Sequence, residues 1–191
     1  MAWAPSAVWD DEASQFDVFW ASRSFASEDT EHTGTPTSLD KIRWSTTKDF
    51  SSFAPAQDYI SLADTPVIDQ DFQYLGQPGH FARYIKNETV AKIWQETTTD
   101  GLFGTWTRNG DYVSSDSPVE GPASYQDNLD PDLYHLLLDD YTQYVPYESS
   151  DIQGGTFERS NYPQYPGGLK HGSVTQLTQA EYDAVKTKYD L

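Results

Sequence analysis

The stretch Ser117-Pro118-Val119-Glu120-Gly121-Pro122-Ala123 places one carboxylate at the start of a strand-like segment, between two prolines that stiffen the chain. Asp69 precedes Glu120 by 51 residues, and His171 follows it by 51 residues. A repeat of about 50 residues with strand-like content is typical of β-propellers, in which each repeat forms a four-stranded blade around a central channel. The spacing therefore predicts that three ionisable side chains meet near one axis.

Three polar turns repeat the same period. Their aspartates, Asp49, Asp100 and Asp151, are 51 residues apart, and each precedes one of the three ionisable residues by 20 residues. An aromatic residue follows each aspartate within a few positions: Phe53, Trp106 and Phe157. We therefore expect an all-β fold, a propeller of the five-bladed type that is incomplete, with about three blades.

The predicted blades cover residues 3–66, 67–117 and 118–169, and together with residues 170–191 they form one partial propeller domain. We expect Ser173–Leu177 to form a closing strand. The pair Thr178 and Glu181 has the spacing of a capping box, which predicts a short helix after it. Residues 23–38 are polar and aperiodic, which predicts a long loop, either a rim that contacts substrate or a mobile solvated segment.

Composition and charge exclude several classes of partner. Among the 191 residues 12 are basic and 30 are acidic, a net charge of −18, whereas nucleic acids and anionic membranes bind basic surfaces. A neutral oligosaccharide or polysaccharide is compatible with this charge. The absence of cysteine excludes disulfides, thiolate metal sites and a cysteine nucleophile. No apolar run is long enough to cross a bilayer, and the first ten residues lack the features of a signal peptide.

The chain resembles the five-bladed propellers of family-43 glycoside hydrolases over nearly its whole length. Four motifs in the family's order carry the resemblance: Trp3-Ala4-Pro5 with Val8-Trp9-Asp10, Val67-Ile68-Asp69, Val119-Glu120-Gly121-Pro122 and His171-Gly172-Ser173. The resemblance implies a glycosidase that hydrolyses O-glycosyl bonds of plant-type polysaccharides with inversion. Its foremost implied substrate is an α-L-arabinofuranosyl linkage, and xylose- or galactose-releasing activities are also found in the family.

The resemblance also implies roles for four residues. Glu120 is similar to the general acid, and Asp69 to the aspartate that orients this acid and raises its pKa. His171 is similar to a channel histidine that, in some members, lies beside a bound calcium or its waters; no other cofactor is implied. Trp3, beside the expected channel entrance, is a candidate for stacking on a sugar ring.

The general base of the family does not have a counterpart in this sequence. The family's base is an aspartate of the first blade, typically in an Asp-Pro motif. The single Asp-Pro pair here, Asp130-Pro131, follows the Glu120 strand and so belongs to the wrong blade. We therefore expect that the first blade is not included in this chain, and that a longer parent protein is extracellular although the chain itself carries no signal peptide.

Each assignment has a structural alternative. Asp69 could cap a strand while Asp71 takes its role, Glu120 could be a solvated loop residue, and His171 could be a hydrogen-bonded structural histidine. For the whole chain, the alternative is a non-catalytic propeller that binds carbohydrate or a protein partner and has lost its general base.

Overall fold

The computed structural model describes residues 2–190, and its strands form three four-stranded antiparallel sheets. The first sheet contains β1 (Trp3–Asp10), β2 (Gln15–Ser22), β3 (Lys41–Thr47) and β4 (Gln57–Ile60). The second contains β5 (Val67–Tyr74), β6 (Phe81–Asn87), β7 (Lys92–Thr98) and β8 (Thr107–Asn109). The third contains β9 (Glu120–Gln126), β10 (Tyr134–Asp139), β11 (Tyr144–Ser149) and β12 (Glu158–Arg159).

The strands follow chain order within each sheet, and the first strand of each sheet is the innermost. Strand β5 packs against β1 of the first sheet and against β9 of the third. The three sheets are therefore arranged radially as blades, with their first strands next to one another. This arrangement confirms the prediction of an all-β propeller.

Apolar residues of neighbouring blades form the core between them. One cluster joins the first and second blades and includes Phe19, Ile42, Ile68, Ile85 and Trp94. A second cluster joins the second and third blades through residues such as Tyr84, Ile93, Leu136, Leu138 and Tyr147. The second blade lies between the other two and is covered on both faces, and its central strands β6 and β7 are rich in β-branched and aromatic residues, as sheet packing favours.

The repeating polar turns all have the same local hydrogen bond. In each turn a hydroxyl accepts the backbone N–H of the aspartate two residues later, at 3.3 Å for Thr47, 3.0 Å for Thr98 and 3.2 Å for Ser149. Hydroxyl side chains stabilise turns by such bonds. The 51-residue period at these positions therefore reflects one turn structure that is built three times.

Two segments outside the blades differ in how well the sequence predicts them. Helix α1 (Gln179–Tyr189) has Thr178 as its N-cap residue, and Thr178 forms the predicted capping box with Glu181. The predicted closing strand Ser173–Leu177 is wrong, because this segment belongs to no sheet in the described part of the chain. Residues 174–177 line a cavity of about 1030 Å³ together with the ends of β5 and β9.

Residues 23–40 lie outside the strands, as expected of a loop. Its ends are joined by an ion pair between Arg23 and Asp40, with 2.7 Å between Nε and Oδ1, and by the Ser24 N–H bond to Ser38 Oγ. The loop leaves β2 and enters β3 at the end where β1 begins, because Trp3 pairs with Ala21. Within residues 2–190 no helix is long and apolar enough to cross a membrane.

A buried carboxylate in the first blade gives a testable pH dependence. Burial, reinforced by the nearby charge of Asp10, raises the pKa of Asp17 to about 6 from its ordinary value near 3.8. Since the folded state holds this proton more tightly than the unfolded chain, ionised Asp17 reduces stability above about pH 6, and the penalty disappears as the pH falls toward 4. Asp17→Asn should therefore raise the free energy of unfolding by about 1–3 kcal/mol at pH 7.5 and leave it unchanged near pH 4.

Urea unfolding at several pH values measures this difference. Asp132→Asn removes the same charge from an exposed turn and is the matched control, for which we expect no such pH-dependent gain. An equal effect of Asp17→Asn at pH 7.5 and pH 4 would contradict the prediction.

Candidate active site

A β-bulge lies at the start of each innermost strand. In each of the three, two residues of the neighbouring strand face three residues of the inner strand, and the second of these three is left-handed. These residues are Ala4, Asp69 and Gly121, with φ values of 46°, 51° and 53°. Asp69 is thus equivalent to Gly121, and Ile68 to Glu120. The sequence predicted that Asp69 and Glu120, 51 residues apart, are structurally equivalent, and this prediction is wrong. The residue equivalent to Asp69 is Gly121, one position after Glu120.

The bulges nevertheless bring the predicted residues together. Asp69 is buried, and its Oδ2 accepts the backbone N–H of Gly121 at 3.2 Å, which links β5 to β9. The His171 ring reaches both carboxylates: Nε2 lies 3.9 Å from Asp69 Oδ1, and Nδ1 lies 3.9 Å from Glu120 Oε1. Three segments that are far apart in sequence therefore meet at one end of the inner strands.

His171 does not lie in a strand, so other contacts hold it in place. Its backbone N–H donates to Asp139 Oδ2 at 3.2 Å, and the next N–H, of Gly172, donates to the Tyr144 hydroxyl at 2.6 Å. The Tyr144 hydroxyl also contacts the carbonyl oxygen of Gly121 at 2.8 Å. A Cβ atom at position 121 would lie only 2.8 Å from the imidazole ring. Position 121 therefore requires glycine both for its left-handed backbone and for the close approach of His171.

Lys86 is a central residue of this site that the sequence analysis did not identify. Its Nζ lies 3.0 Å from Glu120 Oε2, 2.7 Å from Glu88 Oε2 and 2.9 Å from the Tyr141 hydroxyl. The geometry of the hairpins explains this convergence. The second strand of an antiparallel blade ends where the first begins, so the ends of β6 and β10 lie beside Asp69 and Glu120. No local motif marks these residues, and only the hairpin register could have indicated them.

The pKa values of two buried charged groups, Asp69 and Lys86, respond to this environment. Burial raises the pKa of Asp69, while His171, the Gly121 amide and Lys86 act in the opposite direction and Glu120 adds to the rise. For Lys86, burial acts to lower the pKa, but hydrogen bonds to Glu88, Tyr141 and Glu120 outweigh it and raise the pKa. Lys86 therefore remains an ammonium over the whole physiological range.

The two carboxylates at the junction differ in their access to solvent. The Glu120 side chain is 22% exposed and that of Asp69 only 3%. A bound molecule can therefore reach the Glu120 carboxylate but not that of Asp69. His171, at 37%, lies at the open side of the pair.

Asp71, the alternative to Asp69, is engaged between the blades. Its Oδ2 accepts both the N–H and the hydroxyl of Ser124 at 2.8 Å. Burial raises its pKa to about 6 in spite of these bonds. Asp71 is two residues further along β5, where it links the second and third blades.

Trp3 occupies the bulge position of β1 that Glu120 occupies in β9, and it is half-exposed. Within the described residues it has no hydrogen bond or ring contact with Asp69, Glu120 or His171. Its role in sugar stacking stays a prediction.

Asp130-Pro131 lies in the turn between β9 and β10, at the end of the blade opposite to Glu120, because Gln126 pairs with Tyr134 there.

The side chains around His171 do not suit a calcium ion. Calcium prefers six to eight oxygen ligands, whereas here an imidazole separates the two carboxylates and an ammonium occupies one oxygen of Glu120. Over residues 2–190 no group of three or more histidine, cysteine or acidic residues could hold a metal. The described residues therefore do not form a calcium site at His171.

Solved structures with the same fold are enzymes that act on carbohydrates. The chain matches a glycosyl hydrolase from Bacteroides ovatus with a TM-score of 0.56 and 11% identity, over 84% of this chain and 49% of that one. It matches the alpha-L-arabinanase of Penicillium chrysogenum, in complex with arabinobiose, with a TM-score of 0.54 and 11% identity, over 90% and 47%. It also matches an alpha-L-arabinofuranosidase from Fusarium graminearum with a TM-score of 0.57 and 10% identity, over 85% and 46%.

Sequence comparison also finds glycosidases among the relatives of this chain. An alpha-L-arabinofuranosidase of Bifidobacterium longum is 26% identical over 201 residues, which include 87% of this chain and 18% of that protein. The chain thus spans about a fifth of the length of this relative and about half of the solved structures named above. A family model described as a probable glycosyl hydrolase domain, related to glycoside hydrolase family 43, matches residues 1–183. The chain belongs to this family-43-related group of glycosyl hydrolase domains.

Proposed function

We propose that this chain provides the general acid of an inverting glycosidase that acts on α-L-arabinofuranosyl linkages of oligosaccharides or polysaccharides. Glu120 is the acid, and Asp69 is the residue that keeps its proton in place. The observation that carries the proposal is the junction of β5 and β9, where a reachable glutamate and a buried aspartate meet the same imidazole.

The reaction assigns a simple task to Glu120. In an inverting glycosidase the acid protonates the leaving oxygen as the bond between that oxygen and the anomeric carbon breaks. A second carboxylate, roughly 6.5–9.5 Å from the acid, removes a proton from the water that attacks the opposite face of the sugar. Partial exposure lets Glu120 reach a glycosidic oxygen, and its position at the inner end of a blade directs it toward the axis.

Asp69 suits the role of modulator because its carboxylate is fixed and buried. The Gly121 N–H holds Oδ2, and the negative charge of Asp69 opposes ionisation of the neighbouring Glu120. The side chain cannot contact a substrate itself because it is almost completely shielded from solvent.

Three features support the proposed substrate. The Bifidobacterium longum relative is named an alpha-L-arabinofuranosidase, and a solved structure of similar fold is an alpha-L-arabinanase in complex with arabinobiose. Neutral sugars are compatible with the strongly acidic chain. The half-exposed ring of Trp3, in the bulge of the first blade, is suited to stacking on a sugar face.

The general base is not assigned to any residue of the chain. In the first blade the left-handed bulge position that holds Asp69 in β5 is occupied by Ala4, followed by Pro5, so this position supplies no carboxylate. This observation also favours the second candidate function, a propeller that binds carbohydrate without cleaving it.

We expect the 191-residue chain alone to hydrolyse an aryl α-L-arabinofuranoside negligibly. Without a positioned base the attacking water is not activated, a contribution of about 10²–10⁴-fold. Turnover of this chain is compared with that of a version extended upstream through an encoded Asp-Pro strand. If the 191-residue chain is equally active, and Glu120→Gln abolishes this activity, the base lies among its own residues.

The acid is tested by the leaving group in whichever version turns over. Glu120→Gln cannot donate a proton, so it should reduce cleavage of arabinobiose by about 10²–10⁴-fold, while cleavage of a 2,4-dinitrophenyl arabinofuranoside, whose leaving group needs no proton, stays within about tenfold. Glu158→Gln, in the exposed outer strand, is the matched control. Equal losses on both substrates would rule out Glu120 as the general acid.

The modulator is tested by following the ionisation of Glu120. In the chain with ¹³C-labelled glutamate carboxyl groups, Asp69→Asn should lower the titration midpoint of Glu120 by about 1 pH unit, since a like charge is removed. The Glu120 signal is identified by its loss in Glu120→Gln, and Asp132→Asn is the charge control. A midpoint that does not respond to Asp69→Asn removes Asp69 from this role.

A further inference from the structure

Resting on the proposed function, we propose that Lys86 is a positioning residue for the acid. It holds Oε2 of Glu120 so that Oε1 carries and delivers the proton, and Glu88 compensates the charge of Lys86.

The three hydrogens of the Lys86 ammonium match three acceptors. Glu88 Oε2, Tyr141 Oη and Glu120 Oε2 lie 2.7, 2.9 and 3.0 Å from Nζ. An ammonium has three donors and no acceptor. All three are therefore satisfied, and the side chain is only 1% exposed. Because the Lys86 side chain is buried and all its donors are used, it is held in one conformation. Glu120 therefore has a fixed hydrogen-bond donor.

This contact distinguishes the two oxygens of Glu120. Oε2 accepts a hydrogen bond from the Lys86 ammonium, which is always protonated. A proton on Oε2 that pointed at Lys86 would clash with this donor. When Glu120 is protonated, its proton lies on Oε1. Oε1 faces the imidazole of His171, whose side chain is 37% exposed. The acid therefore presents its proton on the accessible side.

Glu88 resolves an electrostatic conflict that Lys86 would otherwise create. An ammonium 3.0 Å from a carboxylate favours the ionised form, which is the wrong form for a general acid. Glu88 is closer to the same nitrogen, at 2.7 Å, and its negative charge offsets that of Lys86. Since both glutamates contact one nitrogen, their Oε2 atoms cannot be more than 5.7 Å apart, the sum of the two contacts.

Other charged groups also lie near Glu120 and contribute to its electrostatic environment together with Lys86 and Glu88. Asp69 approaches from β5, and His171 approaches from the segment after the third blade. Asp139 is paired with Glu120 across β9 and β10. Tyr141, whose N–H is held by Asp139 Oδ1 at 2.7 Å, completes the contacts of Lys86. Within this background, removal of Lys86 and removal of Glu88 should change the ionisation of Glu120 in opposite directions.

The test uses the 191-residue chain and needs no turnover. With the same ¹³C-glutamate titration, Lys86→Met should raise the midpoint of Glu120 by about 0.5–1 pH unit, because the ammonium is lost. Glu88→Gln should lower it by a similar amount, because Lys86 then acts on Glu120 without compensation. Glu158→Gln is the matched control and should leave the midpoint unchanged.

The two single variants together separate this mechanism from a merely structural role, because a loss of packing would not shift the midpoint in opposite directions. If Lys86→Met does not fold, as judged by its amide spectrum, Glu88→Gln decides alone because Glu88 is on the exposed side. An unchanged or raised midpoint in Glu88→Gln overturns the proposal.

Failure here is distinct from failure of the proposed function. If Glu120→Gln reduces cleavage of both test substrates equally while Lys86→Met and Glu88→Gln shift the midpoint in opposite directions, Glu120 is not the acid, but Lys86 still positions its carboxylate. If the leaving-group test succeeds and the midpoint does not move, the acid assignment stands and the role of Lys86 is rejected.

Discussion

The hydrogen bond from the Gly121 N–H to Asp69 Oδ2 is the contact on which the site depends. It joins the left-handed bulge residues of two neighbouring blades, so it fixes the inner strands relative to each other at the point where Glu120 emerges. A buried carboxylate without partners would be strongly unfavourable, and a hydrogen bond to a charged group contributes about 1.5–3 kcal/mol. The proposed modulator of the acid and the group that aligns the two blades are therefore the same carboxylate.

The bulge explains how one repeated structure provides different chemistry in each blade. Its second position carries Ala4 in the first blade, Asp69 in the second and Gly121 in the third. At the preceding position stand Trp3 and Glu120 in the first and third blades. The backbone at each site is the same, so a change of side chain produces an apolar surface, a buried charge, or space for the imidazole of His171. Bulges commonly direct side chains at active sites in this way.

Much of the fold and part of the site could be predicted from the sequence, because both depend on local signals. The polar turns that contain Asp49, Asp100 and Asp151 repeat because one hydroxyl-to-amide bond is built three times. The sequence also brought Asp69, Glu120 and His171 to one place, although the exact 51-residue equivalence of the first two was wrong. The equivalent bulge residues, Asp69 and Gly121, are 52 residues apart, and a 51-residue period taken from the sequence alone does not detect this shift of one residue.

The residues that sequence analysis missed are those whose position depends on pairing between strands. Lys86 and Tyr141 lie at or just beyond the ends of second strands, and they reach Glu120 only because antiparallel hairpins return to their starting edge. Ser173–Leu177 likewise belongs to no sheet, because a strand requires a backbone partner and no local pattern specifies one.

The arrangement of charge around Glu120 follows from burial more than from the net charge of the chain. The buried members, Asp69 and Lys86, have opposite signs and fixed partners, so they form a rigid inner layer whose effects on Glu120 oppose each other. Glu120 and His171 are more exposed than this layer and are within reach of solvent or a ligand. Because a fixed pair in a poorly hydrated site acts more strongly than exposed charges do, the inner layer contributes more to the field at Glu120 than the acidic surface does. A protein with a net charge of −18 can thus keep a glutamate in a distinct electrostatic environment at the end of its inner strands.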